Sequence, residues 1–496
     1  MRASIAFIII FSLLLTSCGI IVPTQEPDDT EAAVTTEFSA DTLPDPADTA
    51  SGEPLVPVDT LAYSAQADAY LAQIAEKNYN FEDASFVIAT PRSEVIEGQE
   101  QETTYSKAIH KRNEKLERTF NIHLLSNQID EQSYFDQLNA SILSDEYFAD
   151  LLMIMESGIG VFAASDTLMN MRSLPLLDLS QPYFNQSSVA AATAGHSTYG
   201  VAGPASLEES SLSCVYFNRG LFEENGVEVP YKHVYSGDWT WDKYFASAAS
   251  VAGINAYAAA HGIDLFSSYS TQYMEELLPM AIYHSCDSRL VDSVPDASPY
   301  VRFSEEDAAI TDIIYKLYSD TARHKETDSG VSRFYSGKSL YMFDRLYLMS
   351  WMPNGQQNWG ILPFPKLDSQ QKNYCTLADE SALFFAVQKN AVETERISII
   401  LSALNASSYG TLTQAYVDYA VNHLLRDNDS ANMLEIILFS ATYDFASAFS
   451  SSNASLASAT TVALNDIAAG TPLKTVLQRV SAANRQLAAR YPVVNR

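Results

Sequence analysis

Two short motifs in the chain have the residue types of enzyme active sites, and each lacks a residue that its chemistry requires. Gly195–Tyr199 has the glycine and serine of a nucleophile elbow, but a tyrosine stands where the second glycine belongs. Gly337–Ser339 ends like a phosphate-binding loop, but Ser332 stands where that loop needs a glycine. The sequence contains no His-Glu-x-x-His zinc motif. We therefore expect no catalytic residue, no cofactor and no bound metal.

Polar side chains follow two predicted strands and are candidates for binding. Thr90 and Arg92 come at the end of the β-rich run 85–90, and Glu156 and Ser157 follow the continuous apolar run 149–155. In open α/β sheets, ligands bind outside the carboxyl ends of the strands, where loops converge. The sequence thus predicts these four residues in the wall of a ligand site. The alternative is that they are ordinary loop residues.

The elements around these positions predict an α/β fold. Apolar periodicity predicts strands, and helices between them, as follows: helix 61–76, strand 85–90, helix 104–120, strand 122–125, helix 134–143 and strand 149–155. Strands that alternate with helices form a parallel sheet covered on both faces.

The N-terminus has the features of an export signal. A positive charge at Arg2 precedes an apolar run, 5–15, that is too short to span a bilayer. The run ends in Leu-Thr-Ser-Cys at 15–18, which resembles the bacterial lipobox. We expect residues 1–17 to be removed as a lipoprotein signal peptide and Cys18 to carry a lipid anchor to the membrane. An ordinary secretory signal with a chance cysteine is the alternative.

The next segment, 18–59, is rich in Pro, Thr, Asp, Glu and Ala without apolar periodicity. Such a composition cannot bury enough apolar surface to offset its ordering entropy, so we predict a disordered, lipid-anchored linker. The rest of the chain, 60–496, is long enough for two lobes with separate cores.

The charge of the chain argues against nucleic-acid binding, and the spacing of its cysteines argues against a zinc site or a redox pair of cysteines. A formal net charge of −31 is incompatible with binding a phosphate backbone, so nucleic acid is not a partner. Beyond Cys18 there are three scattered cysteines, Cys214, Cys286 and Cys375, without C-x-x-C spacing. At most one disulfide can form from them, and we expect buried free thiols instead.

Several motifs between residues 216 and 366 occur in an order that is typical of one family. They are Tyr216–Phe222 with Gly226 and Pro230 after it, Thr240–Asp242, Phe334–Met342 and Trp359–Lys366. Together they resemble extracellular solute-binding protein family 1, the group that includes maltose-binding protein, and the similarity spans about 86–445. Arg219 stands where the family usually has lysine.

The resemblance implies a periplasmic-binding-protein-like fold. Two α/β lobes would be joined by a multi-strand hinge, and closure of the lobes would trap ligand in the cleft between them. Mapped onto this chain, lobe one is 60–205 with 359–405, and lobe two is 206–358 with 406–496.

The resemblance also implies further ligand-binding residues. In this family a sugar-stacking aromatic follows the Gly-Lys segment, and acidic turns face the cleft. The corresponding residues here are Asp344, Arg345, Tyr347, Trp351, Asp379, Glu380, Tyr443 and Asp444. Stacking suits a sugar because a pyranose presents apolar C–H faces, while its hydroxyls need charged or amide partners. A surface ion pair, a core tryptophan and a solvated acidic turn are the alternatives.

The function implied is that of an extracytoplasmic lipoprotein, held on the outer face of the cell membrane, that serves an ABC importer. It would capture a small polar ligand, a sugar or oligosaccharide, without chemistry, and we expect a monomer that docks on the importer's membrane subunits. Two alternatives remain open. A secreted glycoside hydrolase would need paired cleft carboxylates, and a lipoprotein that binds a protein partner would need an apolar patch outside the cleft.

Overall fold

The computed structural model describes residues 60–99, 102–206, 209–224, 226–250, 265–320, 324–352, 358–425 and 427–492. The predictions for the signal peptide, for Cys18 and for the linker lie outside these residues. Within the described residues, no helix is long and apolar enough to cross a membrane.

The described residues form fifteen strands and nineteen α-helices. The strands are β1 Ala84–Thr90, β2 Ile122–Gln128, β3 Leu151–Met155, β4 Thr193–Ala194, β5 Ser197–Thr198, β6 Ser213–Phe217, β7 Phe266–Ser270, β8 Val291–Asp292, β9 Tyr300–Val301, β10 His324–Glu326, β11 Ser339–Arg345, β12 Gly360–Leu362, β13 Thr376–Leu377, β14 Leu383–Ala386 and β15 Ala441–Thr442. The helices are α1 Thr60–Glu76, α2 Thr104–Phe120, α3 Glu131–Ser144, α4 Ile159–Ala164, α5 Gln186–Ala191, α6 Arg219–Glu224, α7 Tyr231–Tyr235, α8 Trp241–Ala249, α9 Gln272–Ser285, α10 Ala308–Ser319, α11 Gly330–Tyr335, α12 Thr394–Ser408, α13 Thr411–His423, α14 Asn428–Phe439, α15 Phe445–Phe449, α16 Ala454–Ala459, α17 Thr461–Ala468, α18 Leu473–Val476 and α19 Val480–Arg490.

The first sheet has the strand order β14-β3-β1-β2. Strand β1 pairs in parallel with both β2 and β3, and β14 is antiparallel to β3. Alternate side chains enter different cores: Ile88 and Met153 face the core that holds α12, whereas Ala89 and Ile154 join the larger core. The predicted sheet covered on both faces is therefore confirmed, and so is the α/β fold class.

Local signals set the helix ends beside this sheet. In α2, the Thr103 side chain accepts the Ser106 N–H, and Asn121 closes the helix in the left-handed region at φ 51°. Its buried residues Ile109, Leu116 and Phe120 lie on one face. The predicted helix 104–120 has the bounds that the structure shows.

The second sheet has the order β10-β7-β11-β6-β12. Two tryptophans, Trp239 and Trp241, anchor the start of α8. Trp239 is buried and donates its Nε1–H to the Pro363 carbonyl at 2.9 Å, and the backbone N–H of Trp241 donates to the Lys366 carbonyl. The Thr240 side chain accepts the Lys243 N–H as a helix cap.

Two segments belong with a different sheet from the one that the predicted lobe boundaries gave them. The strand β12, expected in lobe one with 359–405, pairs antiparallel with β6 in the second sheet. The helix α13, expected in lobe two with 406–496, packs on α2 beside the first sheet, where Tyr416 meets Tyr105 edge-on at 5.4 Å. Both corrections have one cause: an apolar strand or helix joins the nearest uncovered partner, which local sequence does not specify.

The three described cysteines, Cys214, Cys286 and Cys375, are buried free thiols, as expected. Burial raises the pKa of each thiol, to about 12 for Cys286 and Cys375.

Candidate ligand-binding site

The candidate site lies where the C-terminal end of β11 meets the turn between β13 and β14. Arg345, the last residue of β11, places Nη1 2.6 Å from Oδ2 of Asp379 in that turn. The backbone carbonyl of Arg345 accepts the hydroxyl of buried Tyr216 at 2.8 Å, which holds the end of β11 in place. The ion pair therefore connects the second sheet to the turn that leads into the first.

Short paired strands explain why two predicted acids lie close together. Strands β13 and β15 pair in parallel with Leu377 opposite Thr442. Asp379 and Asp444 each follow these residues by two positions, so they leave the pair at equivalent places. Across the same turn, β14 pairs with β3 so that the Glu156 N–H reaches the Ala382 carbonyl at 2.8 Å.

Exposed aromatic rings surround the guanidinium of Arg345. The ring of Tyr273 on α9 lies 4.0 Å from it, and the ring of Tyr347 lies 5.4 Å away. The rings of Tyr347 and Trp351 are 5.8 Å apart. Tyr273, Tyr347 and Trp351 are 44%, 39% and 65% exposed, so these rings present apolar surface to solvent beside charged groups.

The local sequence after β11 accounts for this exposure. Residues Leu346–Trp351 form a 3₁₀ helix, in which positions three apart lie on one face. Leu346 and Met349, which are three apart, are buried, whereas Tyr347 and Ser350, also three apart, are exposed. Leu348 is buried too, and Trp351, the last residue of this helix, is exposed.

The one acid of β11, Asp344, is buried and directly precedes Arg345. Its Oδ2 accepts the Thr271 hydroxyl at 2.6 Å, and its Oδ1 accepts the Arg345 N–H at 2.8 Å. Burial raises the pKa of Asp344, and these hydrogen bonds act in the opposite direction.

A buried polar chain adjoins the ion pair. Oε1 of Glu156 accepts the Asp444 N–H at 3.0 Å, and Oδ2 of Asp444 lies 3.0 Å from Nε2 of His284. Nδ1 of His284 lies 3.3 Å from the Thr442 hydroxyl. Glu156, Asp444 and His284 are all buried, and Oε2 of Glu156 has no hydrogen-bond partner among the described residues.

The charge states in this chain follow from burial and neighbours. Burial, and then the negative charges of Asp444, Asp379 and Glu380, raise the pKa of Glu156 well above its usual value. Burial lowers the pKa of His284, which favours the neutral ring as donor to Asp444. Burial opposes ionisation of Asp444, but hydrogen bonds from His284 and a helix N–H lower its pKa.

Glu380 differs from the buried acids because its side chain is exposed. Partial loss of hydration, then the charges of Asp379 and Glu276, raise its pKa. Glu276 lies on α9, so this repulsion acts between a residue of the turn before β14 and a residue of a helix packed on the second sheet.

The structure brings six of the predicted site residues into one group: Asp344, Arg345, Tyr347, Trp351, Asp379 and Glu380. Glu156 and Asp444 are buried next to that group. Ser157 also adjoins it, because its backbone N–H donates to the Glu380 carbonyl at 3.1 Å.

Three other predicted residues lie in different surroundings. Thr90 and Arg92 contact each other, and Arg92 pairs with Glu131 at 3.4 Å. Tyr443 is buried edge-on against Phe384 at 5.1 Å. Their roles in binding stay predictions.

Sequence reasoning missed Thr271, Tyr273, Glu276 and His284. Thr271 caps α9 by accepting the Met274 N–H, and a threonine before a helical run is a signal that was available. The other three carry no local signal, because they join the site only through the packing of α9. Among the described residues, no group of His, Cys, Asp or Glu is arranged to hold a metal ion.

The comparisons with known proteins bear on the fold. No protein-family model matches the chain, and no curated protein matches it. Solved structures do match over most of their length. The sugar-binding protein MalE from Xanthomonas citri is 12% identical, with 82% of this chain and 98% of that chain covered and a TM-score of 0.54.

Two further structures match over similar lengths. The GacH receptor of Streptomyces glaucescens, solved unliganded and with acarbose, is 14% identical over 82% of this chain and 99% of that chain, with a TM-score of 0.51. The galacto-N-biose/lacto-N-biose I-binding protein of the ABC transporter from Bifidobacterium longum, solved with lacto-N-biose, is 14% identical over 83% and 98%, with a TM-score of 0.51.

This chain has the maltose-binding-protein-like fold. The periplasmic-binding-protein-like architecture that the sequence motifs implied is thereby confirmed.

We expect the Glu156→Gln substitution to change the pH dependence of stability. A carboxyl whose pKa is higher in the folded state than in the unfolded state stabilises the fold fully below the unfolded value, and this contribution is lost as pH rises. Glutamine keeps an oxygen for the Asp444 N–H but does not titrate. The melting temperature of the variant relative to the parent should therefore be higher at about pH 8 than at about pH 5.

The matched control for Glu156→Gln is Glu146→Gln, because Glu146 is exposed. Its melting temperature relative to the parent should show no comparable change between the two pH values. Equal offsets for Glu156→Gln at both pH values would contradict the assignment of a raised pKa to Glu156.

We expect Arg345→Met to destabilise the protein by about 3 kcal/mol, because it leaves the Asp379 carboxylate buried without its cation. Arg92→Met is the control, since the Arg92–Glu131 pair lies at the surface and should cost about 1 kcal/mol or less. Urea unfolding measures both. A cost for Arg345→Met no larger than that of the control would show that the ion pair does not hold the two segments together.

Proposed function

We propose that this chain is an extracytoplasmic solute-binding lipoprotein of an ABC importer and that it captures a carbohydrate. The fold supports the proposal, since solved proteins that share it include one described as sugar-binding and one that belongs to an ABC transporter. The three solved proteins described above are only 12–14% identical to this chain, so the ligand has to be argued from the chain's own residues.

The observation that carries the proposal is the set of exposed aromatic rings around the Arg345–Asp379 pair. Tyr347 and Trp351 offer flat apolar faces to the C–H side of a pyranose. Glu380 offers acceptors, and the exposed part of Arg345 offers donors, to the hydroxyls at its edge. An aromatic face beside charged groups suits a saccharide better than an apolar solute, which would leave the charges without partners.

Capture would occur by closure of two lobes, one built on each sheet. With the two corrections above, lobe one would contain β1–β3, β14 and α13, and lobe two would contain β6, β7 and β10–β12. The site residues come from both groups: Glu380 precedes β14, and Arg345 and Tyr347 follow β11. A ligand that contacts both groups would favour the closed state by its differential affinity.

The anchor and the partners follow from the same proposal. Cys18 would be lipidated, the linker to residue 59 would separate the body from the membrane, and the monomeric body would deliver its ligand to the importer's membrane subunits. Binding would be reversible and without chemistry. Glu156 and Asp444 support this, because both are buried, and Oε1 of Glu156 accepts the Asp444 backbone N–H, so they are not a pair of carboxylates open to a bound sugar.

A thermal-shift screen against mono-, di- and oligosaccharides, amino acids and short peptides tests the proposal. We expect a concentration-dependent rise in melting temperature with a saccharide, because a ligand that binds only the folded state stabilises it by mass action. Tyr347→Ala and Trp351→Ala should each weaken binding about tenfold, on the order of 1.4 kcal/mol per lost stacking contact. Calorimetry measures the affinities.

Tyr315→Ala is the matched control, because Tyr315 is 50% exposed on α10 and belongs to no part of the site. It should leave affinity unchanged. Chromatography of each incubated saccharide completes the test. Recovery of cleaved sugar would show that the protein is a glycoside hydrolase and not a binding protein. If no compound shifts the melting temperature, small-molecule capture is rejected in favour of binding to a protein partner.

We expect Cys18→Ala to abolish membrane attachment while leaving the body folded, since a lipid anchor needs the thiol of that cysteine. Fractionation of cells into membrane and soluble pools measures the change. Cys214→Ala, which alters a buried thiol of the body, should leave the protein in the membrane pool. Attachment that survives Cys18→Ala would disprove the anchor.

A further inference from the structure

Helix α2 has more basic than acidic residues, although the chain as a whole is acidic. In the chain, Asp and Glu outnumber Lys and Arg by 61 to 30. Within α2, by contrast, five basic residues stand against two glutamates. The basic residues are Lys107, Lys111, Arg112, Lys115 and Arg118. This helix therefore carries an excess of positive charge in a protein of net charge −31.

Four of these cations lie on one exposed face of α2. Lys107, Lys111, Lys115 and Arg118 are spaced by four, four and three residues. This spacing places them within about 80° of the helix circumference and along about 16 Å of its axis. All four side chains are exposed, and the apolar residues that α2 buries lie on the opposite side. We call these four residues the basic face.

The basic face has no acidic partner in the described part of the chain. None of its four side chains makes an ion pair or a hydrogen bond there. The two glutamates of α2 have other partners. Oε1 of Glu114 lies 3.7 Å from Nε2 of His110, and Oε1 of Glu117 accepts the Leu124 N–H at 2.8 Å. The positive charge of the face is therefore open to a partner from outside the body.

Arg112 adds a buried positive charge to the same helix. It is 5% exposed and donates to neutral groups: Oδ1 of Asn113 at 2.8 Å, the Ser408 hydroxyl at 3.1 Å and the Ile96 carbonyl at 3.5 Å. Burial lowers its pKa to about 10, so the guanidinium stays charged at neutral pH. Because none of the described carboxylates forms an ion pair with it, its charge adds to the positive potential of α2.

The basic face lies in the helix layer that follows the N-terminal segment. Helix α1, the first described element, packs on α12, and α2 packs on α12 as well. The three helices contribute Ile74, Leu116 and Ile397 to one core. Cys18, the proposed site of the lipid anchor, precedes α1 by 42 residues. None of the candidate site residues lies on these helices, so the basic face is separate from the ligand site.

We propose that the basic face of α2 docks the body on the anionic lipid headgroups of the membrane that carries the anchor. This inference rests on the proposed anchor and goes beyond it, because it assigns a second membrane contact. Each Lys or Arg near an anionic surface strengthens binding about fivefold. A lipid chain together with a basic patch gives stable attachment where one signal alone is marginal. The acidic remainder of the body is repelled by the same surface, so contact is limited to this face.

Acylation of surface lysines tests this contact in the full chain. The purified protein is mixed with excess vesicles of phosphatidylcholine, either alone or with about one-third phosphatidylglycerol, at about 0.1 M salt. An amine-reactive acyl ester is added, and mass spectrometry measures the acylation of each lysine. We expect Lys107, Lys111 and Lys115 to react about fivefold more slowly on the anionic vesicles. Lys474, an exposed lysine on α18, is the control and should react equally fast on both.

Two matched variants separate the charge of the face from its fold. One combines Lys107→Gln, Lys111→Gln, Lys115→Gln and Arg118→Gln, and the other combines Lys107→Arg, Lys111→Arg and Lys115→Arg. Both are made in the full chain with Cys18→Ala, so that the anchor does not hold the protein on vesicles. At about 0.05 M salt, flotation with the anionic vesicles should fall about tenfold for the glutamine variant and stay unchanged for the arginine variant. The replaced side chains are exposed, so the fold should survive, and the melting temperature checks this.

Salt determines when the basic face is sufficient by itself. Screening at cellular ionic strength weakens four surface charges, so the body then stays on the membrane only when the anchor holds it there at high local concentration. Flotation of the Cys18→Ala chain with the anionic vesicles should therefore be lost at about 0.5 M salt. Flotation that is insensitive to salt would contradict an electrostatic contact.

The outcomes separate this inference from the proposed function. Equal acylation of the α2 lysines on the two kinds of vesicle, or equal flotation of the glutamine and arginine variants, would overturn docking on lipid. Slow acylation of these lysines on both kinds of vesicle would show that protein covers the face, and would overturn it too. Failure of the anchor would leave the Cys18 thiol unmodified in the mass spectrum, whereas flotation does not use the anchor and still decides the docking.

Discussion

The site depends on one interaction, the ion pair between Arg345 and Asp379. Arg345 ends a central strand of the second sheet, and Asp379 lies in the turn that enters the first sheet. Because the Asp379 side chain is fully buried, its charge is tolerable only with a cation and hydrogen bonds close to it. The pair positions the aromatic residues as well, since the rings of Tyr273 and Tyr347 lie over the same guanidinium.

Below the ion pair, a chain of buried polar groups joins elements that are distant in sequence. Glu156 follows β3, Asp444 begins α15, and His284 lies near the end of α9. Burial and neighbouring groups set the charge state of each residue. Burial raises the pKa of the Glu156 carboxyl and lowers that of the His284 imidazole, which is neutral, and hydrogen bonds from several donors stabilise the Asp444 carboxylate. A fully satisfied network of this kind would specify one arrangement of the two sheets, and the single unpartnered oxygen of Glu156 is its exception.

The predicted lobe boundaries needed correction because apolar segments pack away from the sheet that the family order assigned to them. The chain passes between the sheets several times, through β12, β13 and α13, and each passage is an apolar segment that can be buried on either side. The order of the family motifs indicated that the chain passes from one lobe to the other more than once. The sheet that each connecting segment joins depends on which sheet edge or helix surface the rest of the fold leaves uncovered. Strand β12 completes the edge of the second sheet beside β6, and α13 covers α2.

The sequence by itself determined the elements and the kinds of residue at their ends. Alternating strands and helices predicted the parallel part of the first sheet, with the bounds of α2 as observed, because periodicity and helix caps are local signals. The rule for strand ends selected Glu156, and family resemblance selected Arg345, Tyr347 and Asp379. Only the tertiary structure decided that these residues meet, and that α9 adds Thr271, Tyr273, Glu276 and His284. These contacts join residues from 34 positions apart, for Arg345 and Asp379, to 288 positions apart, for Glu156 and Asp444. They depend on how sheets and helices pack, and no local pattern in the chain records that packing.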